Sequence, residues 1–370
     1  MSKHQKHIKL EMRENGNFAP NEIAIIGTKC AIVSKLVSQV SEKLPNYKLG
    51  YLDASHNKDN ELKSFESFIF NHNGTVDINV KTEINKFNQR IQFSQFDFMF
   101  INGNHFKGAQ QILILDNEKE ASVLKRLEQL ENIQFVIKLN NNSKYFDFLE
   151  QKYPLIKNLH CYNFNEINKI SEHIESLIKE KIAPIQGLVL AGGKSTRMGK
   201  DKGTLNFYGK NQRDVAIELL EKNNLKTYLS VRSVQEITID NKIVDTFNGL
   251  GPFGAICSAF QSNPNVAWLV LATDVPFVND AVIQKLLKYR NPSKAATSIK
   301  GRGKQFPEPL ITIWEPKSYL LLLNYLSQGF SCPRKVLVNS DVEIVEVDDD
   351  LIRNINTPEE FKAARKEINE

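Results

Sequence analysis

Residues 190–203 read Leu-Ala-Gly-Gly-Lys-Ser-Thr-Arg-Met-Gly-Lys-Asp-Lys-Gly and begin where the apolar run Gly187 to Leu190 ends. A strand running into a glycine-rich turn is the start of an α/β unit, and this turn has the chemistry of a phosphate cradle. Gly192 and Gly193 remove side chains where a backbone must pass close to phosphate oxygens, and successive amides there form an anion-binding nest. Lys194, Arg197, Lys200 and Lys202 gather cations around the same turn, which suits a triphosphate. The Walker-type loop is excluded, because the second glycine, the lysine and the hydroxyl residue are not at the required spacing. A glycine turn ringed by solvated lysines would share the first of these features; Arg197 and the Asp201-Lys202 pair at these offsets favour a ligand.

Outward from this stretch the chain alternates strand and helix. Downstream, apolar runs at Thr227 to Val231, Lys242 to Asp245, Trp268 to Leu271, Ala295 to Ser298 and Glu343 to Val347 predict strands separated by helical segments. The last helix has a start signal in Thr357, Pro358 and Glu360, a capping box with proline in the first turn. Upstream, a strand at Ile23 to Ile26 ends at Gly27, and Ile32, Val33, Leu36, Val37 and Val40 fall on one face of a following helix. Further strands are expected at Lys48 to Leu52, Asp97 to Ile101, Gln111 to Leu115 and Gln134 to Lys138, with helices near Glu118 to Leu130 and Glu166 to Lys179. Such alternation implies mostly parallel sheets flanked by helices. The helical pattern stops around Lys181 to Pro184, so the expected organisation is a flexible tail over 1–20, one α/β domain over 21–183 and a second over 184–370. The Asn- and Asp-rich stretch from Ser55 to Lys81 is expected to be an exposed excursion.

Composition limits the functional classes. At 370 residues and 41% hydrophobic content the chain has enough apolar surface for more than one core. A net charge of +5, from 48 basic and 43 acidic residues, is too balanced for a nucleic-acid-binding stripe. No apolar run reaches the roughly 18 residues of a membrane span, and the polar first residues lack the apolar core of a secretory signal. Cys30, Cys161, Cys257 and Cys332 are too far apart for a zinc clasp or a disulfide framework, and a reducing cytoplasm is the expected home.

Three further motifs accompany the glycine-rich turn. Asp245 precedes Gly251-Pro252-Phe253-Gly254, a strand end leading into a helix. Leu271-Ala272-Thr273-Asp274-Val275-Pro276-Phe277 delivers an aspartate to the carboxyl edge of the sheet, where open α/β sheets bind ligands. Magnesium needs only one or two carboxylates when substrate phosphates complete its shell. Asn354-Ile355-Asn356-Thr357-Pro358-Glu359 leads into the last helix. Together with Leu190-Ala191-Gly192-Gly193, Arg197-Met198-Gly199 and Asp201-Lys202-Gly203, these motifs resemble the molybdenum cofactor guanylyltransferases over Ile185 to about Lys366.

That resemblance implies a Rossmann-like nucleotidyltransferase fold and transfer of GMP from GTP to molybdopterin with release of pyrophosphate. Magnesium would be held by Asp274, and molybdoenzymes would be possible recipients. Carried over residue by residue, it implies catalytic roles for Arg197, Lys202 and Asp274. It implies nucleotide contacts from Leu190, Ala191, Gly192, Gly193, Lys194, Ser195, Lys202, Asp245, Gly251 and Asp274, with Asn356 approaching the site. The sequence departs from the family at Phe306-Pro307-Glu308-Pro309-Leu310, where His-Pro is common. An asparagine expected after Thr227 to Val231 is also not evident, with Ser230 or Arg232 in its place. A cytidylyltransferase acting on the same cofactor, another nucleotidyltransferase, or an adaptor without turnover remain as alternatives.

The first domain, with Gly27-Thr28-Lys29-Cys30 after a strand and Asp97 to His105 followed by Ile112 to Asp116, is similar to the P-loop GTP-binding accessory protein of the same biosynthesis. Its loop is too short to wrap a triphosphate, and Cys30 stands where a magnesium-binding hydroxyl is expected. A degenerate domain without triphosphatase activity is therefore expected.

Overall fold

The computed structural model describes residues 18–55, 66–80, 86–191, 205–232 and 240–369. The chain divides into two compact units, Met1–Lys181 and Ile182–Glu370.

The N-terminal unit contains β1 (Glu22–Ile26), α1 (Cys30–Lys43), β2 (Leu49–Leu52), β3 (Ser67–Phe70), β4 (Val76–Asn79), α2 (Lys86–Phe93), β5 (Phe98–Asn102) and β6 (Gln111–Leu115). It continues with α3 (Glu120–Lys125), β7 (Ile133–Lys138), α4 (Asp147–Lys152), β8 (Cys161–Asn163) and α5 (Ile167–Lys179). Six strands form one parallel sheet in the order β2-β5-β1-β6-β7-β8. Every residue of β1, β5 and β6 is buried, as expected for parallel strands covered on both faces. On one face Ile23, Ile25, Phe100 and Ile114 pack with Val33, Leu36 and Val40 of α1 and with Ile170 and Ile174 of α5. On the other, Ile26, Leu113 and Leu115 pack with Val123 of α3 and Leu149 of α4.

Two details differ from the sequence expectations, and a third adds structure to a stretch that is exposed as expected. Phe18 and Ala19 do not belong to a free tail: both are buried, and the Ala19 amide donates to Glu22 Oε2 at 2.7 Å. The helix expected over Glu118 to Leu130 is reduced to α3 between two 3-10 turns, the first opened by Asp116 accepting from the Glu118 amide. Within the excursion after Ser55, β3 and β4 pair as an antiparallel hairpin.

The C-terminal unit contains β9 (Ile185–Leu190), α6 (Gln212–Lys222), β10 (Thr227–Val231), β11 (Lys242–Val244), α7 (Pro252–Ser262), β12 (Ala267–Ala272), α8 (Asp280–Lys288) and β13 (Ala296–Gly301). After these come β14 (Ile311–Trp314), α9 (Lys317–Ser327), α10 (Pro333–Val338), β15 (Val342–Val347) and α11 (Pro358–Asn369). The sheet order is β11-β10-β9-β12-β14-β13-β15, with only β14 antiparallel to its neighbours. That reversal follows from connectivity, since β13 and β14 are joined without a crossover helix, and parallel neighbours need one. Val189, Leu229 and Leu269 pack against α6 and α8 on one face, while Leu188, Trp268 and Val270 pack against α7, α9 and α10 on the other.

The capping box of α11 forms as its sequence implies. Thr357 Oγ1 accepts from the Glu360 amide at 3.2 Å, and Glu360 Oε2 accepts from the amides of Asn356 and Thr357 at 2.6 and 3.2 Å. The cap fixes the path of Ile355, which is buried with Leu205, Phe207 and Ala364. Thr357→Ala is expected to cost about 1 kcal/mol, read as a lower urea midpoint of the C-terminal unit. Among the described residues no helix is long and apolar enough to cross a membrane.

Candidate functional site

Because β11, β10, β9 and β12 are mutually parallel, their carboxyl ends share one edge, and the motif residues fall there by topology alone. Leu190 closes β9, and its carbonyl accepts from Thr273 Oγ1 at 3.3 Å. The buried Ala191 continues the ladder, donating its amide to the Ser230 carbonyl at 3.3 Å. Gly192, Gly193, Lys194, Ser195, Arg197 and Lys202 lie outside the described residues.

Asp245 follows β11, and its amide donates to the Val231 carbonyl at 2.8 Å. Its carboxylate accepts from Ser230 Oγ at 2.8 Å, so neighbouring strands hold it at the edge. Burial raises its pKa above the ordinary aspartate value, and the Ser230 hydroxyl and Arg232 draw it partway back. A carboxyl whose folded pKa is raised favours the native state when protonated, and that contribution is lost as pH rises through the folded pKa. Ser230→Ala removes a bond to the ionised form and is expected to raise the Asp245 pKa further, as read in a pH titration of that carboxyl; an unmoved titration would show that the Ser230 bond does not hold the ionised form.

Gly251 caps α7 with φ +56 and ψ −138, a conformation that disfavours any residue with a Cβ, and Pro252 occupies the first turn. Asp274 leaves β12 half-buried, and its carbonyl accepts from the Ile355 amide at 2.8 Å. This bond ties the loop containing Asn356 to the aspartate, bringing two motifs together that are far apart in sequence.

Glu308 is the residue that sequence reading undervalued, treating it only as a departure from a family pattern. Its amide donates to Ile299, and its carbonyl accepts from Ser298 Oγ at 3.2 Å and Thr312 Oγ1 at 2.7 Å. Its carboxylate accepts from Arg334 at 3.2 Å. Burial pushes its pKa up, Arg334 and Lys304 oppose that, and the nearby charge of Asp274 adds to it. Asp274 is thus the weakest of the named influences on Glu308. The signal available in the sequence was an acidic residue between two prolines just ahead of an apolar strand.

Among the described residues no three His, Cys, Asp or Glu side chains converge as a metal cage. A magnesium ion does not need one, because phosphate and water oxygens supply most of its ligands. The donor chemistry of Asp274 therefore fits such an ion.

Residues 187–342 match the family model of the MobA-like NTP transferase domain. The match lies within the C-terminal unit. A molybdenum cofactor biosynthesis bifunctional protein of Synechocystis sp. is 34% identical over 183 residues, which are 48% of this chain and 53% of the relative. The chain thus matches about half the length of that relative. A probable molybdenum cofactor guanylyltransferase of Geobacillus sp. is 26% identical over 187 residues, 47% of this chain and 95% of the relative. A solved structure of molybdopterin-guanine dinucleotide biosynthesis protein A from Archaeoglobus fulgidus is 23% identical with a TM-score of 0.41, covering 50% of this chain and 98% of that one.

Proposed function

We propose that the C-terminal unit transfers GMP from GTP to molybdopterin, forming molybdopterin guanine dinucleotide and pyrophosphate. The observation that carries this reading is the alignment of Leu190, Asp245 and Asp274 along one carboxyl edge, directly after which the Gly192 to Gly203 segment begins. The relatives' names support the choice of nucleotide and acceptor.

The chemistry asks mainly for positioning. A phosphate monoester on the acceptor is ionised near neutral pH, so its oxygen attacks the α-phosphorus without a dedicated base, and pyrophosphate leaves. In this reading Asp245 orients the nucleoside. Magnesium held by Asp274, when bound, supplies charge neutralisation for the departing pyrophosphate. Arg197 and Lys202 serve the same end from the glycine-rich segment. Calorimetric titration with GTP, CTP and ATP, with and without magnesium, tests the reading before any transfer assay. A preference for GTP supports guanylyl transfer, a preference for CTP reassigns the enzyme to cytidylyl transfer, and no nucleotide binding favours an adaptor.

The N-terminal unit is proposed to lack triphosphatase activity. Only Gly27, Thr28 and Lys29 connect β1 to α1. Gly27, at φ +103, packs so closely that a Cβ would sit 2.3 Å from the Ile114 carbonyl oxygen. Thr28 Oγ1 donates to Asp116 at 2.9 Å and Lys29 pairs with Glu118 at 2.8 Å, so both residues are engaged within the protein. Lys29→Ala is therefore expected to leave nucleotidyl transfer unchanged in a steady-state assay; a large loss would return a nucleotide to this loop.

A further inference from the structure

We infer that the N-terminal unit holds a site for a divalent transition ion of the zinc or nickel type, chelated by His160 and His173 where β8 meets α5. The site does not depend on the reading of the C-terminal unit. It also stands apart from the loop after β1: β8 is the outer strand of the sheet, and His160 lies at its amino end, opposite the carboxyl edge where that loop begins. Tyr162, two residues on, shares a face with His160, and the two rings stack with planes 11° apart. α5 covers this face, so that Tyr162 joins the core containing Ile170 and Ile174. A cavity of about 450 Å³ opens at the junction, lined by His160, Tyr162, Lys169, Glu172, His173 and Ser176.

The two imidazoles stand at chelating separation. Nitrogens about 2.0–2.1 Å from a tetrahedral ion place two imidazole centroids roughly 5 Å apart. The rings of His160 and His173 are 5.3 Å apart, with their planes at 89°. His160 is exposed, so rotation about its side-chain bonds brings a nitrogen onto the ion without moving the strand. His173 is fixed instead: its Nδ1 lies 3.0 Å from the Tyr162 hydroxyl, and its ring packs on Phe135 with centroids 4.5 Å apart. That leaves Nε2 as the ligating nitrogen, with Nδ1–H donating to Tyr162, the outer partner that metal-bound imidazoles normally have. Burial, and His160 beside it, lower the His173 pKa, so the ring is neutral near pH 7, as a ligand must be.

The lining sets the class of ion. Imidazole nitrogens suit zinc, nickel and copper, whereas magnesium and calcium require shells of oxygen. Lys169, the cation of the lining, is paired with Glu166 at 2.6 Å. Glu172 adds a carboxylate to the cavity, placed to accept from water on the ion. Water completes the coordination in so open a site, and the bound ion ties the outer strand β8 to α5.

The test reads the two histidines directly. Diethyl pyrocarbonate acylates neutral imidazole nitrogens, and peptide mass reports its rate at His160 and His173 in the tag-free full chain with zinc, nickel or magnesium chloride. Zinc at about ten times its dissociation constant is expected to slow acylation of His160 about tenfold. Nickel should protect as well, and millimolar magnesium should not. His173→Gln is expected to abolish the protection of His160, because one ion needs both rings. Should that variant fold poorly, His160→Asn at its exposed position gives the mirror reading at His173. Tyr162→Phe, which removes only the outer partner, is expected to raise the zinc concentration required about tenfold. An unchanged rate at His160 with zinc, protection that survives loss of the other histidine, or equal protection by magnesium would each overturn the inference.

Discussion

Replacing Asp274 by Asn is expected to lower magnesium-dependent nucleotidyl transfer by a hundredfold to a thousandfold, about 3–4 kcal/mol of transition-state stabilisation, with the fold intact. The two halves of that expectation rest on different atoms. One structural contact of this residue lies in its main chain, whose carbonyl accepts from the Ile355 amide and so holds the loop containing Asn356 against the end of β12. Asparagine keeps that carbonyl and nearly the same volume. The proposed chemical role belongs to the carboxylate, which stands at the carboxyl edge near Glu308. Removing its charge also relieves Glu308 of a like neighbour, so the Glu308 pKa should fall. A steady-state assay with a magnesium titration decides the matter, with the urea midpoint as control for folding. Product formation within tenfold of the parent enzyme would remove Asp274 from the mechanism.

The parts of this architecture that were legible in the sequence are those governed by local rules. Ile23 to Ile26, Gln111 to Leu115 and Thr227 to Val231 are short apolar runs bounded by turn residues, and each is a buried strand. The capping box at Thr357 and Glu360 needs only residues three apart, and it forms. What escaped reading depends on tertiary contacts. The reversed direction of β14 is fixed by its partners β12 and β13, not by its own composition. The burial of Phe18 comes from Ala24, Ile101 and Phe106, the last with ring centroids 5.6 Å away, and no period in the first residues announces them. At the candidate site, Asp245 and Asp274 were readable because each ends an apolar strand, whereas Glu308 comes near Asp274 only through the β13–β14 connection.

The largest effect on stability is expected from a pair remote from the proposed chemistry. Arg290, just past α8, donates to both oxygens of Glu315 at 2.7 and 2.8 Å and reaches the Ala183 carbonyl at 2.7 Å. The two side chains are only 12% and 2% exposed, so neither charge is well solvated if the other is lost. The bidentate bond joins the end of β14 to the segment after α8, and the bond to Ala183 ties both to the chain two residues ahead of β9. Breaking a buried pair leaves an uncompensated charge at a cost of about 3–5 kcal/mol. Glu315→Gln is therefore expected to lower the urea midpoint of the C-terminal unit by roughly 1.5–2.5 M at a slope near 2 kcal/mol per M. The measurement isolates that unit, because the two tryptophans of the chain, Trp268 and Trp314, both lie in its buried core. Replacing both partners at once, Arg290→Met with Glu315→Leu, should recover most of the loss, since the penalty lies in the stranded charge more than in the absent bond. A double variant as unstable as the single one would instead show that the Arg290 bond to Ala183, and not the ion pair, holds this corner of the domain.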